Sequence, residues 1–87
     1  KVYFFMYYTY VLQSERDGSF YVGYTKDLKE RIKRHKSGQS PDTSRKLPVV
    51  LVYYEACTNK KDATARELYF KTGYGRRFIK NRLSLSG

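Results

Sequence analysis

Tyr8-Thr9-Tyr10-Val11-Leu12, then Ser14-Glu15-Arg16-Asp17-Gly18-Ser19, then Phe20-Tyr21-Val22-Gly23-Tyr24, and finally the basic segment Asp27 to Lys36 decide how this chain folds. Two aromatic, β-branched runs around an Asp-Gly turn predict a β-hairpin, Met6–Gln13 with Phe20–Thr25. The loop is longer than two residues, which calls for a bulge or a wider turn. Asp27 or Thr25 is placed to cap a helix through Lys36, with Leu28 and Ile32 on its apolar side. Ser37-Gly38 ends that helix.

Working outward, Gln39 to Pro48 reads as a polar loop holding Arg45 and Lys46. Val49 to Ala56 is a continuous apolar run, the pattern of a buried central strand. Thr58 or Asn59 caps a second helix, Lys60–Thr72, stopped by Gly73. Gly75 opens a third, Arg76–Leu83. The order β-β-α-β-α-α predicts an α/β domain: a small three-stranded, at least partly antiparallel sheet flanked by helices. One domain is expected over residues 6–83, with 1–5 an N-terminal extension of the first strand and 84–87 a frayed C-terminal tail. Met6 is read as the natural start.

Eighty-seven residues suffice for one core that buries roughly 60–70% of the unfolded chain's surface. Ten tyrosines and five phenylalanines supply its bulk, so no staple is required. Cys57 is the single cysteine, which rules out an internal disulfide and fits a reducing, cytoplasmic setting. The apolar run Val2–Leu12 is too short to span a bilayer, which takes about 20 residues. Eighteen Lys and Arg against eight Asp and Glu leave a net charge of +10. Lys71 to Arg82 contains five basic residues and no acidic one. Such a field draws polyanions and gives sequence-independent affinity for phosphate backbones. A nucleic acid, DNA or RNA, is one reading of that field and a merely soluble basic surface is the other; no membrane is implied.

Four side-chain types in this chain suit phosphodiester chemistry. Arg31 and His35 stand at i and i+4 and share one helix face. A guanidinium there can hold phosphate oxygens, and an imidazole can bind the attacking water or orient a phenol. Tyr10 and Tyr21 lie on adjacent strands. A phenol titrates near 10, so a phenolate at neutral pH would need nearby positive charge. Glu67 is a mid-helix carboxylate in an acid-poor chain. It suits Mg²⁺, which often takes only one or two protein carboxylates, but equally an i,i+4 ion pair with Lys71. Spacing alone does not separate these readings. Strand tyrosines also pack sheets, and a helix histidine is often simply buried.

Together and in order, these elements resemble the GIY-YIG nuclease family, in its small stand-alone form. Tyr8-Thr9-Tyr10 stands for the first signature element, with Tyr and Thr in place of Gly and Ile, and Tyr21-Val22-Gly23 for the second. Thr25-Lys26-Asp27-Leu28-Lys29-Glu30-Arg31 matches the turn into the arginine-bearing helix. Ala65-Arg66-Glu67-Leu68-Tyr69-Phe70-Lys71 matches the helix carrying the metal-binding glutamate. Thr72 to Leu83 resembles the closing element of the stand-alone subgroup.

The resemblance implies a divalent-metal-dependent endonuclease acting on DNA phosphodiester bonds, in repair or recombination. Tyr10 or Tyr21 would be the general base, Arg31 would steady the phosphate, and His35 would assist. Glu67 would hold one Mg²⁺ or Mn²⁺, with Gly23 and Asn81 in support. Tyr24 stands where some repair members carry lysine, so that role is not carried over. Nucleic-acid affinity is assigned to Lys33, Arg34, Lys36, Arg45, Lys46, Arg76, Arg77 and Lys80. The alternatives are a non-catalytic binding domain that keeps the fold, or a subunit that needs a partner.

Overall fold

The computed structural model describes residues 5–86, with side chains for 5–83; residues 1–4 of the N-terminal extension and Gly87 of the tail lie outside the described residues. The hairpin forms as its sequence dictates: β1 (Tyr7–Ser14) pairs antiparallel with β2 (Phe20–Thr25), register Tyr10 to Gly23. Gly18 takes the turn's left-handed position at φ +77°. Asp27 caps α1 (Leu28–Lys36), its side chain accepting from the Glu30 amide. A polar loop with one 3-10 turn (Ser44–Lys46) leads into β3 (Val49–Cys57). Asn59 then caps α2 (Lys60–Phe70), and α3 covers Gly73–Ser86.

The strand order is β2-β1-β3, wholly antiparallel. The central strand is therefore β1, not the apolar run of β3. Both faces of the sheet are covered, so β3 can be apolar and still lie at an edge. A bulge between Val11 and Leu12 of the β1–β3 ladder pairs Val11 with Tyr53 but Leu12 with Leu51. The extra residue resets the alternation of β3. Leu51 and Val49 thereby face α1 with Tyr10 and Leu12, while Tyr53 faces α2 and α3.

Two small cores result. One joins Val11 and Val22 to Phe70 and Ile79, bordered by Tyr53 and Phe78. The other joins Tyr10, Leu12 and Val49 to Leu28 and Ile32 of α1. Buried Thr9 donates to the Ala63 carbonyl at 2.7 Å and ties α2 to the sheet.

The second and third helices differ from expectation. The second ends at Phe70 rather than Thr72, and the third begins at Gly73 and continues to Ser86, past the expected Leu83. Thr72 makes the break: its hydroxyl accepts from the Gly75 amide at 3.2 Å, and its carbonyl from the Arg76 amide at 3.0 Å. Gly75 serves close packing, since a Cβ there would run into the backbone of Tyr69 and Phe70.

Candidate active site

Tyr10 has no exposed surface, and Gly23 makes room for it. The two are cross-strand partners, and a Cβ on Gly23 would fall on the phenol ring. The phenol thus lies across the sheet toward α1, where its Oη shares a 2.9 Å hydrogen bond with His35 Nε2. His35, itself 1% exposed, is hydrogen-bonded through Nδ1 to Thr43 Oγ1 at 2.7 Å. Thr43 is equally buried, so this Tyr10–His35–Thr43 chain pins the loop after α1 to the sheet. A neutral imidazole can carry its proton on either nitrogen here, donating at one end and accepting at the other.

Tyr21 sits nearer the surface. Its ring lies 5.1 Å from that of His35 and 6.4 Å from that of Tyr10, centroid to centroid. Its hydroxyl donates to Asp42 Oδ2 at 3.1 Å. Tyr21, Arg31, Arg34, His35 and Asp42 line an open cavity of about 260 Å³. Arg31, half-buried, also reaches the Tyr24 carbonyl from Nη1 at 3.5 Å.

The electrostatics run against the expectation that basic surroundings would lower a phenol. Burial raises Tyr10, outweighing the hydrogen bond and charge of Arg31; the fields of Glu67 and Asp42 push the same way as burial. Burial also raises Tyr21, aided by Tyr10 and by the hydrogen bond and charge of Asp42. Both phenols are protonated in the free protein. Burial, and then the Arg31 charge, lower His35 from its ordinary 6.5.

That last shift has a consequence for stability. Unfolded, His35 binds its proton near 6.5; folded, it does so only at lower pH. Between the two the unfolded chain holds more protons, so this contribution is complete above 6.5 and is lost as pH falls toward the folded value. Thermal melts of wild type are expected to drop on going from pH 7.5 to 5.5, and His35→Gln to lose the histidine part of that slope. An unchanged slope in His35→Gln would count against a neutral buried imidazole.

Glu67 projects from α2, which packs on the other face of the sheet, yet its charge is felt at both Tyr10 and Tyr21. It also makes the i,i+4 ion pair with Lys71, at 3.2 Å. The ion-pair reading is thus a contact in the structure, and the metal reading stands on the family resemblance. Among the described residues no group of three or more His, Cys, Asp or Glu could hold a metal. A single carboxylate fits Mg²⁺, which keeps waters and phosphate oxygens in its other positions, and does not fit a caged structural metal.

The basic residues divide. Lys33, Arg34 and Lys36 are exposed on α1, and Arg76, Arg77 and Lys80 are exposed on α3. Lys46 is tied to Asp17 at 3.1 Å and to Ser19, and the Arg45 carbonyl accepts from Arg16, so these two staple the loop to the hairpin turn. Asn81 is exposed on α3, across the sheet from α1. The sequence does not single out Asp42 and Thr43, which sit in a polar loop without periodicity. Asp42 had one legible signal: like Glu67, it is a carboxylate in a basic chain. Among the described residues no helix is long and apolar enough to cross a membrane.

A sequence model of the GIY-YIG catalytic domain matches residues 6–82. A UPF0213 protein of Lacticaseibacillus paracasei is 46% identical over 66 residues, covering 75% of this chain and 73% of that protein. One from Streptococcus pneumoniae is 43% identical over 65 residues, or 74% and 65% of the two. The solution NMR structure of a UPF0213 protein from Bacillus halodurans is similar at a TM-score of 0.56 and 37% identity, covering 94% of this chain and 86% of that one. The chain thus spans about two thirds to three quarters of the length of the first two.

Proposed function

This chain belongs to the GIY-YIG family, a nuclease family, and we propose that it is a divalent-metal-dependent DNA endonuclease acting in repair or recombination. The observation that carries the reading is one cluster built from three elements. Tyr21, Arg31 and His35 line the same cavity, and Tyr10 is hydrogen-bonded to His35 behind them; Glu67 on α2 joins the set through the family resemblance.

Arg31 lines the cavity and is placed to bind a phosphate and neutralise charge growing on its oxygens. Tyr21 lines the same cavity, whereas Tyr10 is wholly buried. Tyr21 is therefore the phenol that meets the attacking water, and Tyr10 with His35 forms its packed support. Glu67 would hold one Mg²⁺ or Mn²⁺, which supplies Lewis-acid stabilisation of the phosphate when bound. The basic faces of α1 and α3 would supply backbone affinity, with strong dependence on salt.

The test is incubation of purified protein with labelled branched, nicked, single-stranded and duplex DNA, and matching RNA, in Mg²⁺, Mn²⁺ or chelator. Metal-dependent cutting of at least one DNA is expected. Binding without cutting across the panel would instead favour a nucleic-acid-binding domain or a subunit that needs a partner.

A further inference from the structure

We infer that Asp42, on the loop after α1, is a positioning residue that accepts the Tyr21 proton as Tyr21 takes one from the attacking water. The inference rests on the nuclease reading above and deepens it.

Three observations support it. Tyr21 Oη already donates to Asp42 Oδ2 at 3.1 Å, and both residues line the cavity that Arg31 and Arg34 make basic. The next residue, Thr43, is buried and bonded to His35, and its amide and carbonyl bond Ser40 and Lys46 at 3.3 and 2.9 Å. The Asp42 backbone is thus anchored, although its side chain is exposed. Third, burial keeps both phenols protonated, so neither waits as a phenolate. A protonated phenol acts as a base only by giving up its own proton in the same event, and that proton needs an acceptor.

The step balances. The water O–H breaks as its oxygen bonds to phosphorus, and the proton goes to Tyr21 Oη. The Tyr21 O–H breaks in concert and its proton goes to Asp42 Oδ2. The P–O bond to the departing strand breaks, and that oxygen is protonated from solvent. Asp42 then returns its proton to water. The groups around Tyr21 are Tyr10 on β1, Arg31, Arg34 and His35 on α1, Lys71 just after α2, and Arg76 on α3, with the charge of Glu67 on α2 also acting on it.

Asp42→Asn separates this role from that of a merely repulsive carboxylate. The amide still accepts a hydrogen bond but cannot take the proton. Removing a negative charge from a phosphate cavity should tighten DNA binding in chelator, by about two- to fivefold at low salt. The single-turnover cutting rate should nonetheless fall by about ten- to a hundredfold, at or below the lower bound of direct general-base assistance because Asp42 acts through the phenol. In a Tyr21→Phe background the same substitution should change the rate by less than about twofold, because the coupling runs through the phenol. In ¹³C-tyrosine-labelled protein without DNA at neutral pH, Asp42→Asn should also shift the Tyr21 Cζ resonance, because the charge-assisted hydrogen bond becomes a neutral one. Cutting as fast as wild type or faster overturns the proposal, as does an equal loss in the Tyr21→Phe background or an unmoved Tyr21 resonance. A wild type that cuts nothing overturns the nuclease reading itself, and this is seen before any variant is compared.

Discussion

Glu67→Ala is expected to reduce metal-dependent cutting about a thousandfold or more while DNA affinity in chelator stays within about twofold of wild type. A single divalent ion acting on a phosphoryl oxygen contributes several kcal/mol to the transition state, and each 1.36 kcal/mol is about tenfold in rate. Glu67 is the carboxylate on α2 whose field reaches both Tyr10 and Tyr21, so nothing else on that helix replaces it there. Its ion pair with Lys71 is an i,i+4 surface contact worth only about 0.3–0.5 kcal/mol, so thermal melts should scarcely move. Single-turnover cleavage at saturating enzyme, with anisotropy binding in chelator, reads rate and affinity separately. Retention of wild-type cutting by Glu67→Ala would remove the metal assignment.

Gly23→Ala carries the second large effect, on fold and site together. The added methyl would occupy space now held by the ring and hydroxyl of Tyr10, and that ring is fully buried among Leu12, Val49 and His35. A flexible surface side chain could swing aside; a buried phenol bonded to a buried imidazole can move only by disturbing both. Overpacking of this kind costs about 1–3 kcal/mol, a large share of the 5–15 kcal/mol that holds a typical domain together. Urea denaturation should show a lower midpoint, and cutting should fall by at least about tenfold as the Tyr10–His35 bond is displaced. Gly18→Ala is the control. It sits at φ +77° with nothing within 4 Å of a new Cβ, so it should cost stability through backbone strain but leave cutting intact. Equal loss of activity in both variants would show that Gly23 matters only for folding.

The legible parts of this protein are those governed by near neighbours in the chain. The Asp-Gly hairpin and the i,i+4 stripe of Arg31 and His35 form as the sequence implies, and each helix cap falls on one of its two candidates, Asp27 and Asn59, because turns and caps involve residues a few positions apart. The misplacement of β3 has a specific reason. An apolar run reports that both faces of a strand are covered, and here α1 covers one face while α2 and α3 cover the other. It says nothing of lateral neighbours, which the antiparallel pairing of β1 on both sides decides. In the sequence the glycines at 73 and 75 mark a helix stop and restart, whereas in the fold Gly75 allows a helix to approach the backbone of Tyr69 and Phe70.

The same division holds for the site. Local order along the chain was enough to place the tyrosines on strands and Arg31 with His35 on one helix face, whereas grouping them with Glu67 as one phosphate-handling set came from the family resemblance and not from spacing. Only the folded arrangement put Tyr10 against His35, 25 residues away, and Tyr21 against Asp42, 21 residues away. The sign of the phenol shifts was decided there too. Charge can be counted along a sequence, but desolvation depends on the volume packed around a group, and for Tyr10 that packing outweighs Arg31. A signature read as two candidate bases thereby becomes two unlike phenols, one buried on an imidazole and one open to the cavity and tethered to a carboxylate.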